Sequence, residues 1–207
     1  MSVVIIDYGM CNLGSVKRAF EECGATVIIS DNPRDAEQAS HLVLPGVGAF
    51  GDAMKNLVSA GWDVAIKKNV LEQNVPLLGI CLGMQLLAER GYENGEYSGL
   101  GLIQGDVIKL YNEKLDPNFR VPHIGWNDVH IKQEYVLTDG LRPATDFYFV
   151  HSYFFKTTRA KDVLTTTYYG LDFPSIIRKD KIMGVQFHPE KSSRAGFQII
   201  RNFLTIN

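Results

Sequence analysis

The sequence predicts an α/β fold, with a mostly parallel central sheet, helices on both of its faces and antiparallel additions. Three observations predict it. The first half alternates short β-branched runs with segments of helical periodicity, the pattern of repeated strand–helix–strand units. The second half replaces the helices with aromatic and β-branched segments separated by turn signals. The third is composition: 207 residues, 45% hydrophobic and 21% charged, are ordinary for one folded domain, and 1–207 is read as one.

Each element has its own local reason. Residues 3–6 are a continuous β-branched run closed by Asp7, read as a buried strand. Residues 12–23 read as a helix with Leu13, Val16, Ala19 and Phe20 on one face and Gly24 as its stop. Strands follow at 26–29 and 41–44, with a short helix at 35–39 between them and a tight turn at 45–48. Helices are expected at 52–60 and 63–73, a strand at 76–80, and a helix at 83–90. The second half gives strands at 107–110, 127–131, 146–151, 163–168, 176–178 and 182–187. A closing helix over 194–204 buries Phe197, Ile199, Ile200 and Phe203.

Charge and cysteine usage exclude several classes. A net charge of -2 leaves no basic excess to neutralise a phosphate backbone, so nucleic acid is not the expected partner. Cys11, Cys23 and Cys81 are odd in number and contain no C-x-x-C pair, which argues against a disulfide framework and a thiolate metal site. No metal or other cofactor is expected. The opening apolar run is too short for a signal sequence or a membrane span, and a cytoplasmic location is expected.

The sharpest motif is Leu78-Gly79-Ile80-Cys81-Leu82-Gly83-Met84-Gln85. A strand leads in and a helical pattern leads out, with a glycine two residues to either side of Cys81. This is the strand–nucleophile–helix elbow, with Cys where many hydrolases have Ser. Cys81 then sits at a helix N-terminus, which favours a thiolate, and the Leu82 N–H can face an oxyanion. On this motif alone, a small inert residue packed between two glycines is an equal reading. The second motif is Gly184-Val185-Gln186-Phe187-His188-Pro189-Glu190. A thiolate nucleophile needs an imidazole, and the imidazole needs a carboxylate to set its tautomer. His188 and Glu190 supply both. His41, His123, His130 and His151 lack such a partner and default to structural or surface roles. The third motif, Pro45-Gly46-Val47-Gly48, has neither P-loop nor dinucleotide spacing and fits an oxyanion-binding turn.

Together, in this order, the three motifs resemble the class I (triad-type) glutamine amidotransferases. Within that family the stretches Asp7-Tyr8-Gly9, Pro122-His123-Ile124-Gly125-Trp126-Asn127 and Tyr148-Phe149-Val150-His151-Ser152-Tyr153 are similar to the glutaminase subunits of imidazole glycerol phosphate synthases. The resemblance spans nearly the whole chain. It implies a three-layer α/β fold and glutamine hydrolysis by Cys81, His188 and Glu190. It also implies an oxyanion hole from the backbone of Leu82, Val47 and Gly48. Glutamine binding is implied for Gly46, Gly48, Gln85 and the Ser152–Tyr153 backbone. The implied partner is a (β/α)₈-barrel cyclase subunit, forming a heterodimer of histidine biosynthesis, with Tyr8, Asn12, Trp126 and Lys191 as interface candidates. For Trp126, core burial is an equal reading. Two positions depart from the family pattern: Cys11 stands where Gly is usual, and Gly14 where Arg is usual. A sister group that supplies ammonia to sugar-modifying synthetases of surface polysaccharides can carry Gly at the second position, which keeps that pathway as an alternative.

Overall fold

The computed structural model describes residues 2–110 and 119–207. The chain begins with β1 (Ser2–Ile6), α1 (Leu13–Glu22), β2 (Thr26–Ser30), β3 (His41–Gly46), α2 (Phe50–Ser59), α3 (Trp62–Lys67), β4 (Leu77–Cys81) and α4 (Leu82–Gln85). It continues with β5 (Arg90–Gly91), β6 (Tyr97–Ser98), β7 (Gly105–Lys109), β8 (His123–Ile131), β9 (Thr145–His151) and β10 (Tyr153–Thr157). It closes with β11 (Val163–Tyr168), β12 (Asp172–Lys179), β13 (Ile182–Val185) and α5 (Ser193–Leu204).

Nine strands form the main sheet in the order β2-β1-β3-β4-β13-β12-β11-β8-β9. The first five run parallel and the remaining four add antiparallel; β13, from the half expected to give antiparallel additions, instead pairs parallel with β4. Side chains alternate across each strand, so the sheet feeds two cores. Val3 and Ile5 of β1 pack with Val16 and Phe20 of α1 and with Ile199, Ile200 and Phe203 of α5. Val4 and Ile6 pack on the opposite side with Phe50 and Leu57 of α2 and with Trp62 and Ile66 of α3. Helix, sheet and helix are therefore the three layers. Each fully buried Phe, Ile or Leu contributes roughly 1.5–3 kcal/mol relative to exposure, and the cores hold nine such large side chains of Trp and Phe alone. Among the described residues, no helix is long and apolar enough to cross a membrane.

The structure corrects several local expectations. The helix expected over 83–90 stops at Gln85. Beyond it, the carbonyls of Leu86, Leu87 and Ala88 accept bonds from Leu100, Leu102, Ile103 and Gly101, so tertiary pairing replaces the helical ladder. These three residues are buried on every side, and their apolarity therefore says nothing about periodicity. A second sheet, β10-β7-β5-β6, was not expected. β3 runs on through Pro45 and Gly46 before turning, and β8 and β12 are longer than the sequence indicated. Phe197 is only half-buried on α5.

Candidate functional site

Three neighbouring parallel strands deliver the site. β3 ends at Gly46 and β4 at Cys81, in register with each other, and Val185 at the end of β13 lies beside Ile80. Side chains following those ends gather at the carboxyl edge of the sheet, where α/β folds place ligands. Cys81 takes φ 54° and ψ −108°, a region costing about 1–3 kcal/mol for a residue with a Cβ. The elbow is enforced sterically: a Cβ on Gly83 would overlap the carbonyl oxygen of Leu44 in β3, and one on Gly79 would lie 2.6 Å from the Gly83 oxygen. These glycines let α4 sit directly against β3 and aim Cys81 into a cavity of about 260 Å³. That is just below the ~300–1,000 Å³ of drug-sized pockets and suits a small metabolite.

His188, from the segment after β13, lines the same cavity as Cys81, and Glu190 lies against it. His188 Nδ1 lies 2.8 Å from Glu190 Oε1, with side chains 5% and 2% exposed. Among the described residues, Nε2 of His188 has no hydrogen-bond partner, although His188 and Cys81 line the same cavity. Burial opposes a charge on His188, but the nearby Cys81 and the hydrogen bond and charge of Glu190 outweigh it and push its pKa up to about 10. The backbone around His188 is tied down. Its N–H donates to Tyr148 O, and its carbonyl accepts from Ser192 Oγ at 2.6 Å. Gly196 of α5 passes so close to the Pro189 carbonyl that a Cβ there would overlap it.

The rest of the cavity wall comes from the expected stretches and one unexpected residue. Gln85 is buried; its Nε2 donates to Tyr153 O at 2.8 Å and to Gln186 Oε1 at 3.1 Å. Gln186 Nε2 points in turn at Cys81 Sγ, 3.8 Å away. With both amide hydrogens committed, Gln85 has only its carbonyl oxygen left for a ligand. Ser152, Tyr153, Val47, Gly48 and Leu82 also line the cavity, whereas Gly46 is buried beneath it, against Tyr8 and Leu82. Leu82 is the first residue of α4, so its N–H has no helical partner. The Val47 N–H, by contrast, donates to Met10 O at 2.9 Å and is unavailable to an oxyanion in this arrangement. Glu93 is the residue that sequence reasoning missed. Its Oε2 accepts the Phe50 N–H at the start of α2, and its carboxylate lines the cavity. An isolated Glu in the polar loop before β6 carries no signal that would have found it.

The four expected interface residues are distributed unevenly. Trp126 is 54% exposed on β8, beside exposed Ile124 and Tyr168. Lys191 is exposed and holds its ammonium 5.9 Å from the ring of Tyr148, which also packs edge-on against Trp126. Asn12 is exposed at the start of α1. Tyr8 is buried, its hydroxyl donating to Pro45 O, so it supports the turn rather than presenting a surface. Of the other histidines, His41 bonds the Ile206 carbonyl and His130 lies beside Asp128 on the surface. His151, expected as a structural or surface residue, is buried and lines the cavity, and His123 is buried against it.

Residues 4–206 match the family model described as glutamine amidotransferase class-I. A protein of Campylobacter jejuni named imidazole glycerol phosphate synthase subunit HisH 1 is 46% identical, over 97% of this chain and 98% of its own length. One of Aquifex aeolicus, named imidazole glycerol phosphate synthase subunit HisH, is 47% identical over 98% and 96%. Among solved structures, one described as glutamine amidotransferase superposes with a TM-score of 0.75 at 20% identity, covering 98% of this chain and 97% of its own. PurLQS from Thermotoga maritima gives 0.74 at 17% identity, over 99% and 97%. At these identities the structures speak for the fold alone.

Proposed function

Because the chain belongs to the class-I glutamine amidotransferase family, we propose that it is the glutaminase subunit of an imidazole glycerol phosphate synthase. It hydrolyses glutamine to glutamate and ammonia, and hands the ammonia to a (β/α)₈-barrel cyclase subunit in a heterodimer of histidine biosynthesis. The observation that carries this reading is the convergence of Cys81 with the buried His188–Glu190 pair on one small cavity. The free state of Cys11, Cys23 and Cys81 accords with a reducing cytoplasm.

The Cys81 thiolate attacks the side-chain amide carbon of glutamine. His188, held protonated by its partners, gives its proton to the departing nitrogen, which leaves as ammonia, and a γ-glutamyl thioester remains on Cys81. Forming the thioester removes the thiolate charge that helped keep His188 protonated. The neutral imidazole now takes a proton from water as the hydroxyl attacks the thioester carbon. Glutamate leaves, and the thiolate–imidazolium pair is restored. Glu190 holds Nδ1–H of His188 and stabilises its charged form throughout. The Glu93 carboxylate is placed to receive the substrate ammonium, with Gln85 and the Ser152–Tyr153 backbone completing the pocket.

Of the expected oxyanion donors Leu82, Val47 and Gly48, the Val47 amide is latched to Met10 and so withheld. One missing donor costs about 10²–10³ in turnover. Low activity of the isolated chain follows, with docking of the partner near the N-terminal loop releasing the latch. The φ of +111° at Gly48 lets this turn rotate. The sugar-modifying alternative rests on Cys11 and Gly14 alone, and the relatives named above carry the other name.

The test is chemical trapping. Rapid acid quench during turnover with glutamine should yield a γ-glutamyl thioester on the Cys81 peptide, and Cys81→Ala should abolish both adduct and glutamate release. Turnover surviving in Cys81→Ala would assign the chemistry elsewhere.

A further inference from the structure

At the cavity wall, His151 of β9 sits directly opposite His123 of β8 in the ladder, with His123 Nδ1 3.0 Å from His151 Nε2. His123 is sandwiched between the rings of Tyr169 at 3.9 Å and Phe149 at 5.0 Å, and Phe173 meets the edge of His151. Both rings are buried in this aromatic box, with His151 also lining the cavity. Burial brings the His123 pKa down to about 4 and, with His123 nearby, that of His151 down to about 3. Both rings are therefore neutral at neutral pH, each with one donor and one acceptor nitrogen.

The donors and acceptors can be ordered without ambiguity. His151 Nδ1 lies 2.9 Å from the Tyr153 carbonyl, which can only accept, so Nδ1 carries the hydrogen and Nε2 is bare. The facing His123 Nδ1 must then donate, leaving His123 Nε2 to accept from Asn127 Nδ2 at 3.3 Å. The Asn127 amide is itself oriented by Tyr168 O, which accepts from Nδ2, and by the Asp128 N–H, which donates to Oδ1. The chain of donation runs from Asn127 to His123 to His151 to Tyr153 O. That same carbonyl also accepts from Gln85 Nε2.

We propose that this buried histidine pair is a positioning relay for glutamine binding. His151 fixes the Ser152–Tyr153 backbone and, through the shared carbonyl, the Gln85 amide, while His123 locks His151 in the one tautomer able to do so. Glu190 sets the tautomer of His188 by accepting from its Nδ1, whereas His123 sets that of His151 by donating to its Nε2. Neither ring touches the reacting atoms. The proposal rests on reading the cavity as the glutamine site, and its test separates the two.

The test compares two reagents on the chain in complex with its cyclase subunit, with modification of the Cys81 peptide followed by mass spectrometry. The glutamine analogue 6-diazo-5-oxo-L-norleucine needs the whole pocket, whereas iodoacetamide needs the sulfur alone. His151→Leu should raise the half-saturating concentration of the analogue about tenfold, the worth of one lost buried hydrogen bond, with the iodoacetamide rate within about twofold of wild type. His151→Asn, whose amide nitrogen can stand where Nδ1 stands, should recover most of the loss. His123→Phe, which refills the aromatic sandwich, should lie between. In ¹⁵N spectra of the wild-type protein, His151 should show a protonated Nδ1 and a bare Nε2, a readout that needs no variant to fold. An unchanged half-saturation in His151→Leu, an equal loss with both reagents, or the opposite tautomer would overturn the relay. Absence of saturable labelling of wild-type Cys81 by the analogue would instead overturn the reading of the cavity, and the relay's role with it.

Discussion

Glu190→Gln removes one charge from a pair that is almost wholly shielded from solvent, at 2.8 Å between His188 Nδ1 and Glu190 Oε1. At an effective dielectric of about 20, charges at that separation attract by about 6 kcal/mol, of which a neutral amide keeps a hydrogen bond worth roughly 1 kcal/mol. The variant also sheds the cost of burying a carboxylate, so the net loss of imidazolium stabilisation is roughly 3–4 kcal/mol. If His188 must be protonated to expel ammonia, turnover at pH 9 falls by about 10- to 100-fold, and at pH 7 by no more than about twofold, because a pKa lowered from about 10 by about 2–3 units leaves the imidazole at least half protonated there. The pH profile moves as well. Wild-type His188 stays protonated to about 10, so the alkaline limb of glutaminase activity in the complex should lie near there. In the variant it should move down by about 2–3 pH units. The assay is glutamate release at saturating glutamine across pH, alongside the KM. A loss well under tenfold at pH 9 with an unmoved alkaline limb would show that Glu190 does not sustain the charge on His188, and the proposed acid step would be wrong.

The same raised pKa makes a stability prediction. His188 is charged in both folded and unfolded chains below its ordinary 6.5, so its stabilisation is full there and is lost as pH rises through about 10. Wild-type thermal midpoints should accordingly drop between neutral pH and pH ~10 more steeply than those of Glu190→Gln. Gly83→Ala drives a Cβ into the Leu44 carbonyl of a central strand and should destabilise the fold by about 3 kcal/mol or more in urea unfolding; a loss under about 1 kcal/mol would mean the elbow is pliable. Trp126→Ala, at a side chain 54% exposed, should weaken cyclase binding by about 2 kcal/mol, roughly 30-fold in Kd. Its unfolding midpoint should stay put, whereas a large drop there would reveal a packing role instead.

The parallel half of the fold was legible because its strands are short apolar runs and its first two helices carry an apolar stripe with a glycine soon after. Asp7 closes β1 and Gly24 follows α1, and both boundaries fall within a residue or two of the reading. The elbow was legible because sterics leave glycine as the residue that fits at 79 and 83. The second sheet was hidden. β5 and β6 are two residues long, too short for any period, and β10 leaves one sheet for another after the single residue Ser152. The end of α4 was hidden because the apolar residues 86–88 are enclosed all round, a setting in which helix and turn demand the same side chains. Within the site, His188 and Glu190 announced themselves by spacing. Glu93 comes from a loop that the fold alone brings to the cavity, and the direction of the Val47 N–H is a matter of one peptide plane. Backbone orientation of that kind leaves no trace in side-chain pattern.

The most direct test of the proposed role is glutamate release on titration of this chain with the cyclase subunit from the same genome, with and without the cyclase's nucleotide substrate. Saturable stimulation, by about 10²–10³ if docking frees one oxyanion donor, and a further rise with the nucleotide, is the predicted result. Full turnover by the chain alone, or no stimulation by a cyclase that demonstrably binds it, would contradict the account.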